Sequence, residues 1–309
     1  MKDSRTLTLT KEMFKRLSFR PPGETIAGDS VPMWRDVLRR LVTNKLAMSG
    51  VVFLVLLGVM AIIGPMISPH DYFTNNLDRT NEPPSADYWF GTDNLGRDLF
   101  SRLWMGARIS LVVGLAAAAI DLIFGVIYGG IMGYAGGRTD EMMNKVSEIL
   151  YSIPYLLVVI LLLVVMEPSM WTIILALSVT GWINMSWIVR GQIKQLKNQE
   201  YVLAARSMGA SGARMLFKHL IPNTLGPIIV TLTLTVPSAI FSEAFLSFLG
   251  LGVQSPAASW GTMINDSLAG WTLFPWQMMF PAALLCLTML AFNVFGDGLR
   301  DAFDPKLKK

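Results

Sequence analysis

The chain holds one cysteine and two histidines, and it carries little charge for its size. Of 309 residues, 16% are Asp, Glu, Lys or Arg and 52% are hydrophobic. A soluble globule of this length needs more polar surface than that, so the composition is that of a polytopic membrane protein. The lone cysteine, Cys286, sits in an apolar run, which excludes an intrachain disulfide and a cysteine-based metal site. His70 and His219 fall in separate polar segments far apart, so no histidine metal pair is expected, and neither a metal nor a cofactor is assigned to the chain. No G-x-x-x-x-G-K-[ST] loop occurs, so nucleotide phosphates are not cradled in the Walker manner. Energy for any pumping must come from other chains. No repeat relates the two halves, which argues against an ion-coupled secondary transporter built on internal repeats.

The formal net charge of +4 does not point to nucleic acid, because its placement is topological. Lys and Arg gather in the N-terminal tail, after the second apolar run, around a central loop and in the C-terminal tail. Only Arg79, Arg97, Arg102 and Arg108 fall on the other side. By the positive-inside rule this predicts six spans with both termini cytoplasmic. The expected spans are 46–67, 109–134, 149–166, 170–189, 224–250 and 276–296, each near the roughly 20 residues that cross a hydrocarbon core. Residues 1–45 read as a cytoplasmic tail, 69–107 as an external polar loop carrying Pro83-Pro84, 251–275 as a second external segment, and 297–309 as a cytoplasmic tail. Span five contains Pro227 and Pro237 and is expected to tilt or kink.

The most specific pattern lies between spans four and five, in Gln199 to Asn223 (QEYVLAARSMGASGARMLFKHLIPN). Helix formers run from Glu200 to Met208, and Gly209 supplies a left-handed position that closes a helix. Ser211 is placed to cap a second short helix, whose continuation Pro222 is expected to block while allowing a new helix to start close by. Small residues at Ala204, Ala205, Gly209, Gly212 and Ala213 leave the elbow bare for close approach by another protein, with Arg206, Arg214 and Lys218 around it. The stretch Gly209-Ala210-Ser211-Gly212 also resembles the G-x-S-G of intramembrane serine proteases. That chemistry requires a serine at membrane depth with a base on a neighbouring span, and no span here contains a histidine.

Alanine pair, glycine and proline at this spacing resemble the cytoplasmic coupling loop, or EAA motif, of ABC importer permeases. Leu203 stands where that family carries Glu, and His219 where it carries an aliphatic residue. Further motifs are similar to the C-type permease subunit of oligopeptide and dipeptide importers. They are Phe90-Gly91-Thr92-Asp93 with Gly96-Arg97-Asp98 and Gly106-Ala107-Arg108, then EAFLSFLGLG (243–252) with Ser259-Trp260-Gly261, and GDGLRD (296–301) with Asp304-Pro305. The resemblance implies an all-α type I importer permease in a bacterial cell membrane, with a five-helix core over 108–296 and one added N-terminal span. It implies a B-type permease partner, two cytoplasmic ABC ATPases that bind ATP and Mg, and an extracytoplasmic peptide-binding protein. The ATPase-coupling residues would then be Tyr201, Ala204, Ala205, Arg206, Gly209 and Pro222. The same importer class also carries nickel complexes and glutathione-like solutes.

Among the polar residues inside the expected spans, Asp121, Asn184 and Glu243 stand out as candidates for the pathway or for contacts within the bundle. Glu243 falls near the outer end of span five, where a structural contact, to headgroup water or across the bundle, is favoured over a substrate contact. Asp121 falls near the middle of span two, at a position the resembled family leaves apolar. No Lys or Arg occurs in any span to pair with it. Protonation, hydrogen bonding to groups such as Asn184 or Thr288, exposure to a water-filled pathway, and pairing with the partner subunit all remain open for it; on a peptide path its charge would attract the peptide's amino terminus.

Overall fold

The computed structural model describes residues 33–303. Most of the basic N-terminal tail and the end of the C-terminal tail, including Asp304-Pro305, lie outside the described residues. Among those described, the chain is helical, with one isolated antiparallel bridge between Thr92 and Asp98. Five helices are long and apolar enough to cross a membrane: α2 (Lys45–Ile67), α3 (Leu99–Ala135), α6 (Met170–Leu196), α10 (Leu225–Phe248) and α12 (Pro275–Phe303). A bent pair, α4 (Gly137–Ser152) and α5 (Tyr155–Met166), makes a sixth crossing if it counts as one span.

That pair corrects the expected third span. Pro154 lacks an amide hydrogen and disfavours helix at the residue before it. Ile153 is accordingly extended (φ −76°, ψ 122°), and the two helices meet at a 77° bend. Alone, the 12 residues of α5 reach only about 18 Å, short of a hydrocarbon core.

The helix that carries the expected second span starts well before the apolar run. Asp98 caps α3, accepting from the amides of Phe100 and Ser101 at 3.3 and 3.0 Å, so the helix begins at Leu99 and runs 37 residues. The charges in its first turns are not solvated. Arg97 Nε lies 2.6 Å from Asp93, Arg102 Nε lies 3.3 Å from the same carboxylate, and Arg102 Nη2 reaches Asp266 at 3.4 Å. Asp93, Arg97 and Arg102 are all buried. Asp266, on α11 (Trp260–Ser267), is the more open member; burial pushes its carboxyl up from the ordinary range, against the pull of Arg102 and Arg97. The loop read from sequence as an external polar segment is therefore a packed cap whose Asp and Arg residues pair with one another. The second segment read as external contributes α11, whose Trp260 is fully buried and donates Nε1–H to the Leu103 carbonyl at 3.2 Å.

At the N-terminal end, the expected tail closes with an amphipathic helix, α1 (Met33–Thr43), that sets Val37 against Leu299 and Ala302 of α12. In the bundle, α3 is central and packs along α2, α6 and α10. Its closest partner is α6, and the reason is a stripe of small residues. Gly125, Gly129 and Gly133 recur every fourth position, so they share one face. A Cβ on Gly125 would sit 2.6 Å from that of Met185, and one on Gly133 would sit 2.8 Å from the Arg190 carbonyl.

Candidate functional site

Between α6 and α10 the chain leaves the bundle and returns through the elbow predicted from sequence. Its first arm, α7 (Glu200–Ser207), ends at Gly209, whose φ of +85° is the left-handed conformation that glycine adopts without strain. Ser211 Oγ caps α8 (Gly212–Arg214) by accepting from the Arg214 amide at 3.4 Å. The second arm differs from expectation at Pro222. The helix does not stop there; it passes through a π-helical turn, Met215–Leu220, into α9 (Ile221–Asn223), with Pro222 in the first turn of that segment. A missing amide hydrogen at that position removes nothing the helix start would have used.

The small residues of the elbow do two different jobs. Ala205 is buried and packs with Val202, Met215, Leu216 and Leu220 on Met185, Val189 and Ile193 of α6. Its size serves contacts within the chain, contrary to the reading that it bares the elbow. A Cβ at Gly212 would meet the Tyr134 ring at 3.2 Å. Ala204, Gly209 and Ala213 are exposed, and so are Tyr201, Arg206, Arg214 and Lys218. Two exposed apolar side chains, Met208 at 81% and Phe217 at 56%, extend this surface. Both were passed over in sequence because apolar residues in a membrane protein carry no signal of their own. Exposed beside a cationic rim, they form a mixed patch of the kind that marks a protein contact.

The end of α6 that leads into the loop is tied to α4. Arg190 of α6 grips Asp140 of α4 through Nε (2.5 Å) and Nη2 (3.0 Å), and donates Nη1–H to Asn144 at 3.1 Å. Lys194 Nζ adds a third contact to Asp140 at 2.5 Å. This brace joins the two helices flanking the α5 crossing. From sequence, Arg190 and Lys194 read only as part of the basic residues around the central loop, and nothing singles out Asp140 and Asn144.

The polar residues within the spans separate. Glu243 is fully buried and accepts from Ser110 Oγ of α3 at 2.8 Å and Ser247 Oγ at 2.7 Å. It thus pins α10 to α3 across the bundle, with no access to headgroup water. Asp121 and Asn184 line one cavity of about 350 Å³ between α3, α5, α6 and α10. Thr288 does not take part: its hydroxyl donates to the Leu284 carbonyl at 2.7 Å within α12.

Taken together, the apolar helices, the packed cap at one end and the exposed elbow at the other define a multi-pass membrane protein with an exposed loop of mixed apolar and cationic character. Residues 125–309 match the model of the binding-protein-dependent transport system inner membrane component, and residues 32–84 match the N-terminal TM domain of oligopeptide transport permease C. The chain belongs to this family of binding-protein-dependent permeases. It is 58% identical over 286 residues to the oligopeptide transport system permease protein OppC of Bacillus subtilis, covering 93% of this chain and 94% of that one. It is 57% identical to the dipeptide transport system permease protein DppC of the same organism (93% and 90% covered). It is 37% identical to the glutathione transport system permease protein GsiD of Pectobacterium atrosepticum (89% and 92% covered). Members of this family are permease subunits rather than enzymes, and they work with partner subunits.

Proposed function

We propose that this chain is one of two transmembrane subunits of an ATP-driven importer of oligopeptides or dipeptides, and that α7 and α8 seat an ABC ATPase. The observation that carries the reading is the exposed elbow, packed against α6, in a chain more than half identical to oligopeptide and dipeptide permeases. In this reading both termini and the elbow are cytoplasmic, and the α4–α5 pair crosses the membrane as one broken span, which makes six. The B-type permease completes the pathway, two ATPases bind ATP and Mg, and an extracytoplasmic binding protein delivers peptide to the packed cap. Residues 108–296 form the importer core, and α2 is the added span. Of the coupling residues, Tyr201, Ala204, Arg206 and Gly209 contact the ATPase, while Ala205 and Pro222 shape the loop that presents them.

The test is uptake of labelled di- and tripeptides by cells lacking this chain and by cells complemented with it. Uptake that depends on the chain, on ATP and on the partner subunits is expected. Uptake by this chain alone in liposomes under a proton or sodium gradient would replace the reading with a secondary transporter.

A further inference from the structure

The cavity holding Asp121 is polar in a pattern. On α10, Thr231, Thr235, Ser238 and Ser242 line it, at steps of four, three and four residues that keep all four on one helix face. On α6, Thr180, Gly181 and Asn184 face the same space. Asp121 is 5% exposed, and its Oδ1 is buried without a hydrogen-bond partner. A side chain at Gly181 would overlap the Asp121 carboxylate, so α6 makes room for the group without supplying it a donor. A buried carboxylate left short of partners inside a span marks a pathway or a ligand.

The hydroxyls give the sign of that ligand. Thr231 Oγ1 donates to the Pro227 carbonyl at 2.8 Å, Thr235 Oγ1 to Thr231 at 3.0 Å, and Ser238 Oγ to Leu234 at 2.9 Å. Their hydrogens are committed to their own helix, which leaves lone pairs to face the cavity. A carboxylate facing a row of acceptors is complementary to a cationic donor, and no Lys or Arg lines the cavity.

We propose that this cavity is an ammonium subsite for the amino terminus of a peptide in transit, with Asp121 as counter-charge and the α10 hydroxyls as a track of acceptors. The proposal rests on the peptide-importer reading above. A peptide amino terminus, ordinarily ionised below about pH 7.7 to 8.0, brings three N–H donors whatever its side chains are. A site that reads this group selects peptides as a class without selecting their sequence. Hydroxyl acceptors spaced along one helix face also let the group leave, as a conducting site requires.

The experiment uses the complete transporter, purified with its partner chains and reconstituted in proteoliposomes, with trialanine and N-acetyl-trialanine as probes. Asp121→Asn is expected to lower ATP-driven trialanine uptake about tenfold, the scale of one lost charged hydrogen bond, while N-acetyl-trialanine uptake and stimulated ATP hydrolysis change less than about twofold. A readout without mutation accompanies it: modification of Asp121 in the wild-type complex by a hydrophobic carbodiimide, mapped by mass spectrometry, should be slowed by trialanine and not by its acetylated form. Equal losses for both peptides, or unaltered trialanine uptake, overturn the proposal. If the variant fails to assemble, the carbodiimide result decides, and labelling indifferent to trialanine overturns it. A wild-type transporter that moves no trialanine brings down the importer reading itself, and this subsite with it.

Discussion

Ala204 and Ala205 are neighbours in sequence with opposite surroundings, and the difference yields a sharp prediction. Ala205 is 7% exposed among Val202, Met215, Leu216 and Leu220, whereas Ala204 is open to solvent. In Ala205→Leu, three added carbons must enter that cluster, and overpacking of this kind costs about 1 to 3 kcal/mol. At 1.4 kcal/mol per factor of ten, the elbow would detach from the bundle about fivefold to a hundredfold more often. Ala204→Trp adds more bulk, yet in open space it changes the fold by no more than about 0.5 kcal/mol. Trypsin reads the first effect in membranes stripped of ATPase, because Arg206, Arg214 and Lys218 lie on the elbow. Cleavage there should accelerate in Ala205→Leu and stay at the wild-type rate in Ala204→Trp. Co-purification of the ATPase from unstripped membranes reads the second effect, and Ala204→Trp should lose it without any gain in trypsin sensitivity. If Ala204→Trp keeps its ATPase and its peptide uptake, the exposed face of α7 is not a docking surface and the coupling argument fails.

The other predictions concern the bundle and its orientation. An alkaline phosphatase reporter, active only outside the cytoplasm, should be inactive when fused after Lys309; strong activity would end the even-span topology. Asp140→Asn leaves the partly exposed Arg190 and Lys194 without their shared carboxylate, and should cost up to about 1 kcal/mol, seen as a lower thermal midpoint of the detergent-solubilised complex. An unchanged midpoint would show that the α4–α6 brace contributes nothing. Gly129→Leu places a side chain against the Ser186 backbone. It should leave membrane insertion intact while preventing α3 from closing on α6, so that no complex is recovered; normal recovery would contradict the close approach described above.

What was legible in the sequence follows from the range of the forces involved. Hydrophobic runs report only that a segment is apolar, so they located the spans well and their ends poorly. The start of α3 was hidden because its first turns carry Arg102, and a charge in sequence looks solvated until its partner is known. That partner, Asp93, is itself shared with Arg97, and the network closes on Asp266 more than 160 positions away. The break at Ile153 was different, since Pro154 was in plain view and its effect on the preceding residue is local. An apolar run of the right length outweighed it in the reading. At the elbow, Gly209 and Ser211 were read correctly because a left-handed turn and an N-cap are decided within a few residues.

The residues that remained ambiguous are those whose surroundings come from other helices. Helical spacing cannot say which of two adjacent alanines faces the bundle when both neighbouring turns are apolar. Glu243 and Asp121 show the same limit in a stronger form. In sequence both are lone carboxylates in apolar runs, and depth alone separated them. In the fold, Ser110 and Ser247 turn their hydroxyl hydrogens toward Glu243, so its carboxyl oxygens are answered within the bundle. Around Asp121, Thr231, Thr235 and Ser238 give theirs to their own helix, and Gly181 offers no side chain. The same residue types thus make a structural tie in one place and an unanswered charge in the other. Where the hydroxyl hydrogens go is set by rotamer and helix register, and that is why the spacing of serines and threonines on α10 gains its meaning only once α3 is packed beside it.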